Sequence, residues 1–149
     1  MSIGTLCTRD VATGSRETTV AEAAKQMRHR HVGDLVVVDE SDGRRVPVGV
    51  VTDRDIVLSV VATGLDANVF TIGDLLLKKA VTCREDQGVL ECLQTLRANG
   101  IRRAPVVDNE GGLVGIITLD DLVRLLATEL SEVAKLISRE QIREMKTRV

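Results

Sequence analysis

Apolar positions fall along the chain in two kinds of run, and the same succession occurs twice. Behind Thr19-Val20-Ala21-Glu22, a capping box in sequence, Val20, Ala23, Ala24 and Met27 recur at helical spacing. An unbroken run, Leu35-Val36-Val37-Val38, follows, then a turn at Ser41-Asp42-Gly43 and a second apolar run from Val46 to Val51. A further helix is predicted from Asp53. The other half carries Val89, Cys92, Leu93 and Leu96 at helical spacing, a strand at Ala104 to Val107, a turn at Asn109 to Gly112, a strand at Leu113 to Ile117, and a helix from Leu119. Each half, with its short leading segment, reads β-α-β-β-α.

The correspondence is residue by residue. At a constant offset of 69, Ile3, Gly4 and Leu6 fall on Ile72, Gly73 and Leu75, Thr13 falls on Thr82, and Val37-Val38-Asp39 on Val106-Val107-Asp108. Past the turn the offset is 66, carrying Gly49, Thr52 and Asp55 onto Gly115, Thr118 and Asp121; the lost residues lie in a turn, where length changes are tolerated. Two tandem repeats are predicted, residues 1–66 and 67–149. A repeat of about 60 residues buries too little surface to stand alone. Strands that are apolar at every position, without alternation, call for a sheet covered on both faces. The predicted fold is therefore α/β (α+β in layering): the two repeats pack sheet to sheet with pseudo-twofold symmetry, and a long C-terminal helix follows.

That helix is unlike its counterpart. From Leu119 to Met145 there is neither Pro nor Gly, and apolar residues fall at 122, 125, 126, 130, 133, 136, 137, 142 and 145. An overhanging amphipathic helix needs cover, and a homodimer formed through it is expected; folding back onto its own core is the alternative.

Composition narrows the function. Apolar residues make up 44% and charged residues 28% of 149, and Phe70 is the only aromatic, so bases would find no stacking platform. The formal charge is −2 with the two signs interspersed, which offers nothing to nucleic acid or an anionic membrane. Cys7, Cys83 and Cys92 form no CxxC pair and leave one over, pointing away from a disulfide framework or a zinc site and towards a reducing cytoplasm. Neither a signal peptide nor an apolar run of about 18 residues is visible, so no membrane role is expected.

The sharpest chemistry lies where the second strand of each half ends. Gly49-Val50-Val51-Thr52-Asp53-Arg54-Asp55 matches Gly115-Ile116-Ile117-Thr118-Leu119-Asp120-Asp121. A helix N-terminus presents backbone N–H groups and partial positive charge to a phosphate, threonine adds a hydroxyl, and an aspartate three positions on can accept from the two hydroxyls of a ribose. Glycine leaves the strand end open to close approach. Thr-x-x-Asp is equally a helix cap that needs no ligand. Both readings fit, and the doubling favours a site.

The doubled Gly-h-h-Thr-x-x-Asp pattern (h, apolar), with Arg102-Arg103-Ala104-Pro105-Val106-Val107 in the second half, resembles the CBS domain family from Ile3 to about Leu126. The resemblance implies two repeats packed through their sheets, with two clefts able to hold AMP, ADP, ATP or an S-adenosyl compound such as S-adenosylmethionine. It implies phosphate contacts for Thr52 and Thr118 and ribose contacts for Asp55 and Asp121. Thr13 and Thr82, with the backbone near Val32 and Ile101, would face the adenine. Pro105 belongs to the ligand-facing set by the same resemblance. Arg54 lies beside the expected phosphate position of the first cleft, where the second has Asp120; Arg102 and Arg103 can reach either cleft or sit as a solvated strand end. One occupied cleft is expected, the first preferred. His29 and His31, two apart, do not share a helix face as metal ligands, Cys92 reads as inert packing, and Cys83, beside Thr82, as a weak redox candidate. No catalytic residue, metal or resident cofactor is expected. The function predicted is a regulatory binding module acting through an unidentified effector protein, with a ligand-free scaffold as the alternative.

Overall fold

The computed structural model describes residues 1–148 in two compact units, Met1–Ile117 and the segment from Thr118 onward. In chain order the first unit contains α1 (Ile3–Leu6), β1 (Thr13–Gly14), α2 (Val20–Arg30), β2 (Asp34–Ser41), β3 (Arg44–Thr52), α3 (Asp53–Ile56), β4 (Cys83–Arg84), α4 (Val89–Asn99), β5 (Arg103–Val107) and β6, which runs Leu113–Thr118. A π-helical turn, Val57–Val61, continues α3, and a 3-10 turn spans Ile72–Leu75. The strands form two three-stranded sheets, β1-β2-β3 and β4-β5-β6. β1 lies parallel to β2 with Thr13 opposite Val36, and β4 parallel to β5 with Cys83 opposite Val106. β2 and β3 are antiparallel from Asp34↔Thr52 to Ser41↔Arg44, joined by Asp42-Gly43, both left-handed (φ 50 and 75) as a tight hairpin requires.

Side chains alternate across a strand, and here both faces are covered. Leu35, Val37 and Val51 join Val20, Ala23 and Met27 of α2 in one buried cluster with Ile56, Val60 and Ile72. Val36 and Val38 point the other way and meet Ile116, with Val11, Val50 and Leu113 around them. That second cluster draws on both repeats and is the sheet-to-sheet seam. Each such side chain contributes roughly 1.5–3 kcal/mol on full burial, which is why the run from Leu35 to Val38 has no polar alternate. α2 opens with both arms of its capping box: Glu22 N–H donates to Thr19 Oγ1 (3.1 Å) and Thr19 N–H to Glu22 Oε2 (2.9 Å). α4 begins at Gly88, without a side-chain cap.

The leading segments are exchanged between the halves. Ile3 N–H donates to Gln87 O (2.8 Å) and Gly4 N–H to Glu85 O (2.8 Å); at the repeat offset, Ile72 N–H donates to Thr18 O (2.8 Å) and Gly73 N–H to Arg16 O (3.1 Å). Ile72, which leads the second repeat in sequence, is thus buried in the core of the first.

The helix predicted from Asp53 is short. One α turn gives way to the π turn, closed by Ala62 N–H on Val57 O (2.9 Å), and Thr63 Oγ1 donates to Ser59 O (2.7 Å). Branched Val57, Val60 and Val61 and a hydroxyl that competes for carbonyls disfavour a regular continuation. In the second unit α5 (Leu119–Thr147) runs for 29 residues, about 44 Å at ~1.5 Å per residue. Leu122 is buried, and every described residue from Leu126 onward is exposed. Among the described residues no helix is long and apolar enough to cross a membrane.

Candidate functional site

Both strand-to-helix corners carry complete capping boxes. At the first, Asp55 N–H donates to Thr52 Oγ1 (3.1 Å) and Thr52 N–H to Asp55 Oδ2 (2.8 Å). At the second, Asp121 N–H donates to Thr118 Oγ1 (3.2 Å) and Thr118 N–H to Asp121 Oδ2 (3.0 Å). These four side chains are only half-buried, and each carboxylate keeps Oδ1 without a hydrogen-bond partner among the described residues. The corners differ in what else is engaged. Thr118 Oγ1 also donates to Asp121 Oδ2 (3.0 Å), whereas the Thr52 hydroxyl proton has no acceptor among the described residues.

The amides differ in the opposite sense. Asp53 N–H donates to Gly33 O (2.9 Å), and Arg54 N–H to the neighbouring Asp53 Oδ1 (2.8 Å). With Asp55 N–H on Thr52, every N–H of the first turn is taken, and the carboxylate of Asp53 stands where an anion would bind. The second corner has Leu119 in that place, so no side chain among the described residues accepts from the Leu119 or Asp120 amide. Asp53 was not singled out in the sequence; its position directly after the cap, where a carboxylate reaches the next N–H, was the available signal.

The two glycines of the motif have a structural reason. A Cβ on Gly49 would lie 2.3 Å from Leu76 Cδ2, and one on Gly115 would lie 2.5 Å from Cys7 Sγ and 2.9 Å from Thr8 O. Cys7 and Leu76 are equivalent residues of the exchanged leading segments. The close approach expected at these glycines is made by the chain itself. On β6 the crossing segment also pairs, Thr8 and Ile116 exchanging both backbone bonds at 2.9 Å. Its counterpart beyond Leu76 does not pair with β3, and Leu77 is 89% exposed. An open groove of about 500 Å³ remains there, lined by Arg16, Val46, Pro47, Val48 and residues 76–79, and contains none of the predicted site residues.

The remaining candidates are placed as follows. Val32 and Gly33 lie beside the first corner, joined to it by the Asp34↔Thr52 pair and the Gly33 bond. Thr13 sits in β1, its hydroxyl accepting from Arg45 Nη1 (3.5 Å) and its carbonyl from Gln26 Nε2 (3.1 Å). Arg54 is exposed and in no ion pair among the described residues. In the second half, Thr82 is half-buried ahead of β4, Ile101 N–H donates to Leu96 O (3.1 Å), Arg102 is exposed and Pro105 is buried in β5. Arg103 Nη1 pairs with Asp34 Oδ1 at 2.6 Å. The partners stand 69 positions apart, the repeat offset itself. Equivalent positions that face each other across a pseudo-twofold axis therefore hold opposite charges, which two copies of one residue could not do; only the offset signalled it.

The CBS domain family profile matches residues 3–62 and 72–128. Protein MK0525 of Methanopyrus kandleri is 37% identical over 139 residues, spanning 91% of this chain and 69% of that protein. CBS domain protein PAE2072 from Pyrobaculum aerophilum, solved in complex with AMP, is 26% identical with a TM-score of 0.74, over 86% of this chain and 99% of that one. The CBS domain pair of protein MJ0100, in complex with 5′-methylthioadenosine and S-adenosyl-L-methionine, is likewise 26% identical with a TM-score of 0.74, over 87% and 98%.

Proposed function

The chain belongs to the CBS domain family, and from that premise we propose that it is a non-catalytic regulatory module that binds an adenosine compound, one of AMP, ADP, ATP or S-adenosylmethionine. Repeats 1–66 and 67–149 supply equivalent donor sets, and the first corner is the occupied one. Thr52 donates its hydroxyl to phosphate, Asp55 Oδ1 accepts from the ribose, Arg54 neutralises phosphate charge, and the backbone at Val32 with Thr13 meets the adenine. The carrying observation is the half-exposed Thr52–Asp55 pair, in which one hydroxyl proton and one carboxylate oxygen remain available beyond the cap. Structural neighbours with AMP or with S-adenosylmethionine bound support the ligand class.

Binding changes the balance between two states only through a difference in affinity for them. The readout in this reading is assembly and contact with an effector protein in the cytoplasm. On α5, Val123, Leu126, Leu130, Val133 and Ile137 recur at alternating spacings of three and four, all more than half exposed, the pattern of a two-helix seam. A second copy of the chain covers it. Light scattering behind size exclusion reads a dimer, and Leu130→Glu with Val133→Glu gives a monomer.

Calorimetric titration with AMP, ATP and S-adenosylmethionine tests the ligand. Saturable one-to-one heat is expected for at least one of them; no binding at millimolar ligand, or turnover of ATP by the pure protein, contradicts the reading. A ligand-free scaffold is the second reading, favoured by one observation: Asp53 already fills the anion position at the first corner. It predicts no ligand response and an unchanged dimer.

A further inference from the structure

Two buried thiols in the second repeat take no part in either strand-to-helix corner. Cys83, on β4, and Cys92, in the first turn of α4, both have no exposed surface, and their Sγ atoms are 3.4 Å apart. Sulfur atoms at that distance are in contact, and a disulfide would need them to close by only about 1.4 Å. The geometry points to a reversible dithiol–disulfide site at Cys83 and Cys92, oxidised by a hydroperoxide.

The pair is differentiated. The thiol–thiol hydrogen bond, reinforced by burial, holds Cys83 well above the ordinary thiol range, and the same bond draws Cys92 down. Cys92 is therefore the first nucleophile. Its thiolate attacks one peroxide oxygen; the O–O bond breaks, hydroxide leaves and takes up the proton that Cys92 gave, and Cys92 becomes a sulfenic acid. Cys83 sulfur then attacks the sulfenic sulfur. The S–O bond breaks, the S–S bond forms, and the departing hydroxide takes the Cys83 proton as water. Two thiols and one hydrogen peroxide give one disulfide and two waters.

Access comes through the edge of the sheet. β4 is two residues long and pairs on one side only, with β5. Opening two ladder positions lifts Cys83 away from the Cys92 sulfur it touches and admits peroxide to Cys92, at far less than the cost of global unfolding. Closure staples β4 to α4 and fixes the loop between them, whose Glu85 and Gln87 carbonyls receive the leading segment through Gly4 and Ile3. Oxidation therefore tightens the contact between repeats. Cys7 takes no part, because it lies against Gly115 on the other side of the exchange.

The test uses the whole wild-type chain treated with hydrogen peroxide, then alkylated in denaturant and digested with trypsin. Cys83 and Cys92 fall in different peptides, residues 80–84 and 85–97, and Cys7 in a third. The expected result is one crosslinked peptide, 80–84 to 85–97, lighter by two hydrogens and released by dithiothreitol, while Cys7 stays alkylated. In urea the preference disappears and all three cysteines pair without order. Alkylation of both thiols after native treatment overturns the site, as does oxygen added to either without a crosslink, or a crosslink to Cys7.

Discussion

The two Thr-x-x-Asp corners are the same motif in the same place of two repeats, yet they commit their donors differently. At the first, the hydroxyl proton of Thr52 is available and the helix amides are taken, the Arg54 N–H by Asp53. At the second, Leu119 leaves the first amides without a side-chain acceptor, but Thr118 gives its proton to Asp121. A capping box satisfies two groups in either case, so the cap and the site are not rival explanations of the motif. What distinguishes a binding corner is which donors remain after the cap is made; for the amides that depends on the single residue following the threonine.

The largest way to break the equivalence is at the glycines. Gly115→Ala drives a Cβ against the Thr8 carbonyl, which is backbone, whereas Gly49→Ala meets the end of a leucine. Overpacking of this kind costs about 1–3 kcal/mol, with Gly115→Ala near the top and Gly49→Ala near the bottom, read by urea unfolding. Equal losses would show that the crossing segments are equally free to move.

Removing Asp53 sharpens the contrast in affinity. Asp53→Ala frees the Arg54 amide and takes a negative charge from the phosphate position, so AMP binding tightens about fivefold, or ~1 kcal/mol, while adenosine is unaffected. A parallel change for both ligands would place the phosphate elsewhere. Next come the caps: Thr52→Ala and Thr118→Ala each lower stability by about 1 kcal/mol, Thr118→Ala by more, since it loses an additional bond to Asp121. The smallest effect is expected at the seam. Separating Asp34 from Arg103 by Asp34→Asn costs about 0.5–1 kcal/mol in low salt and less in high salt, because the pair is only partly buried.

Much of the fold was legible because its signals are local or periodic. Leu35 to Val38 announced a doubly covered strand, and Thr19 with Glu22 a helix start, and both are found. The doubled Thr-x-x-Asp identified the corners, but not that Asp53 occupies one of them, since that turns on a side-chain rotamer. The exchange of leading segments has no local signature; its trace is the pairing of Gly49 with Leu76 and of Gly115 with Cys7, which becomes intelligible only once distant segments meet. The π turn at Val57–Val61 has no signature in the sequence, because branched residues lower helical propensity without breaking the period. Cys92 read as plain packing; its position is core-facing, but the sulfur beside it comes from a strand nine residues earlier.

The central claim, that the first corner binds the ribose and phosphate, is tested most directly by titrating AMP into Asp55→Asn and Asp121→Asn. Asparagine keeps the carbonyl that receives the cap N–H and removes the carboxylate charge, so folding is preserved at both corners. The account predicts that Asp55→Asn weakens AMP about 10–100-fold, as expected for a charge-assisted bond of ~1.5–3 kcal/mol, while Asp121→Asn binds like the wild type. Wild-type affinity in Asp55→Asn, or a loss confined to Asp121→Asn, would contradict it.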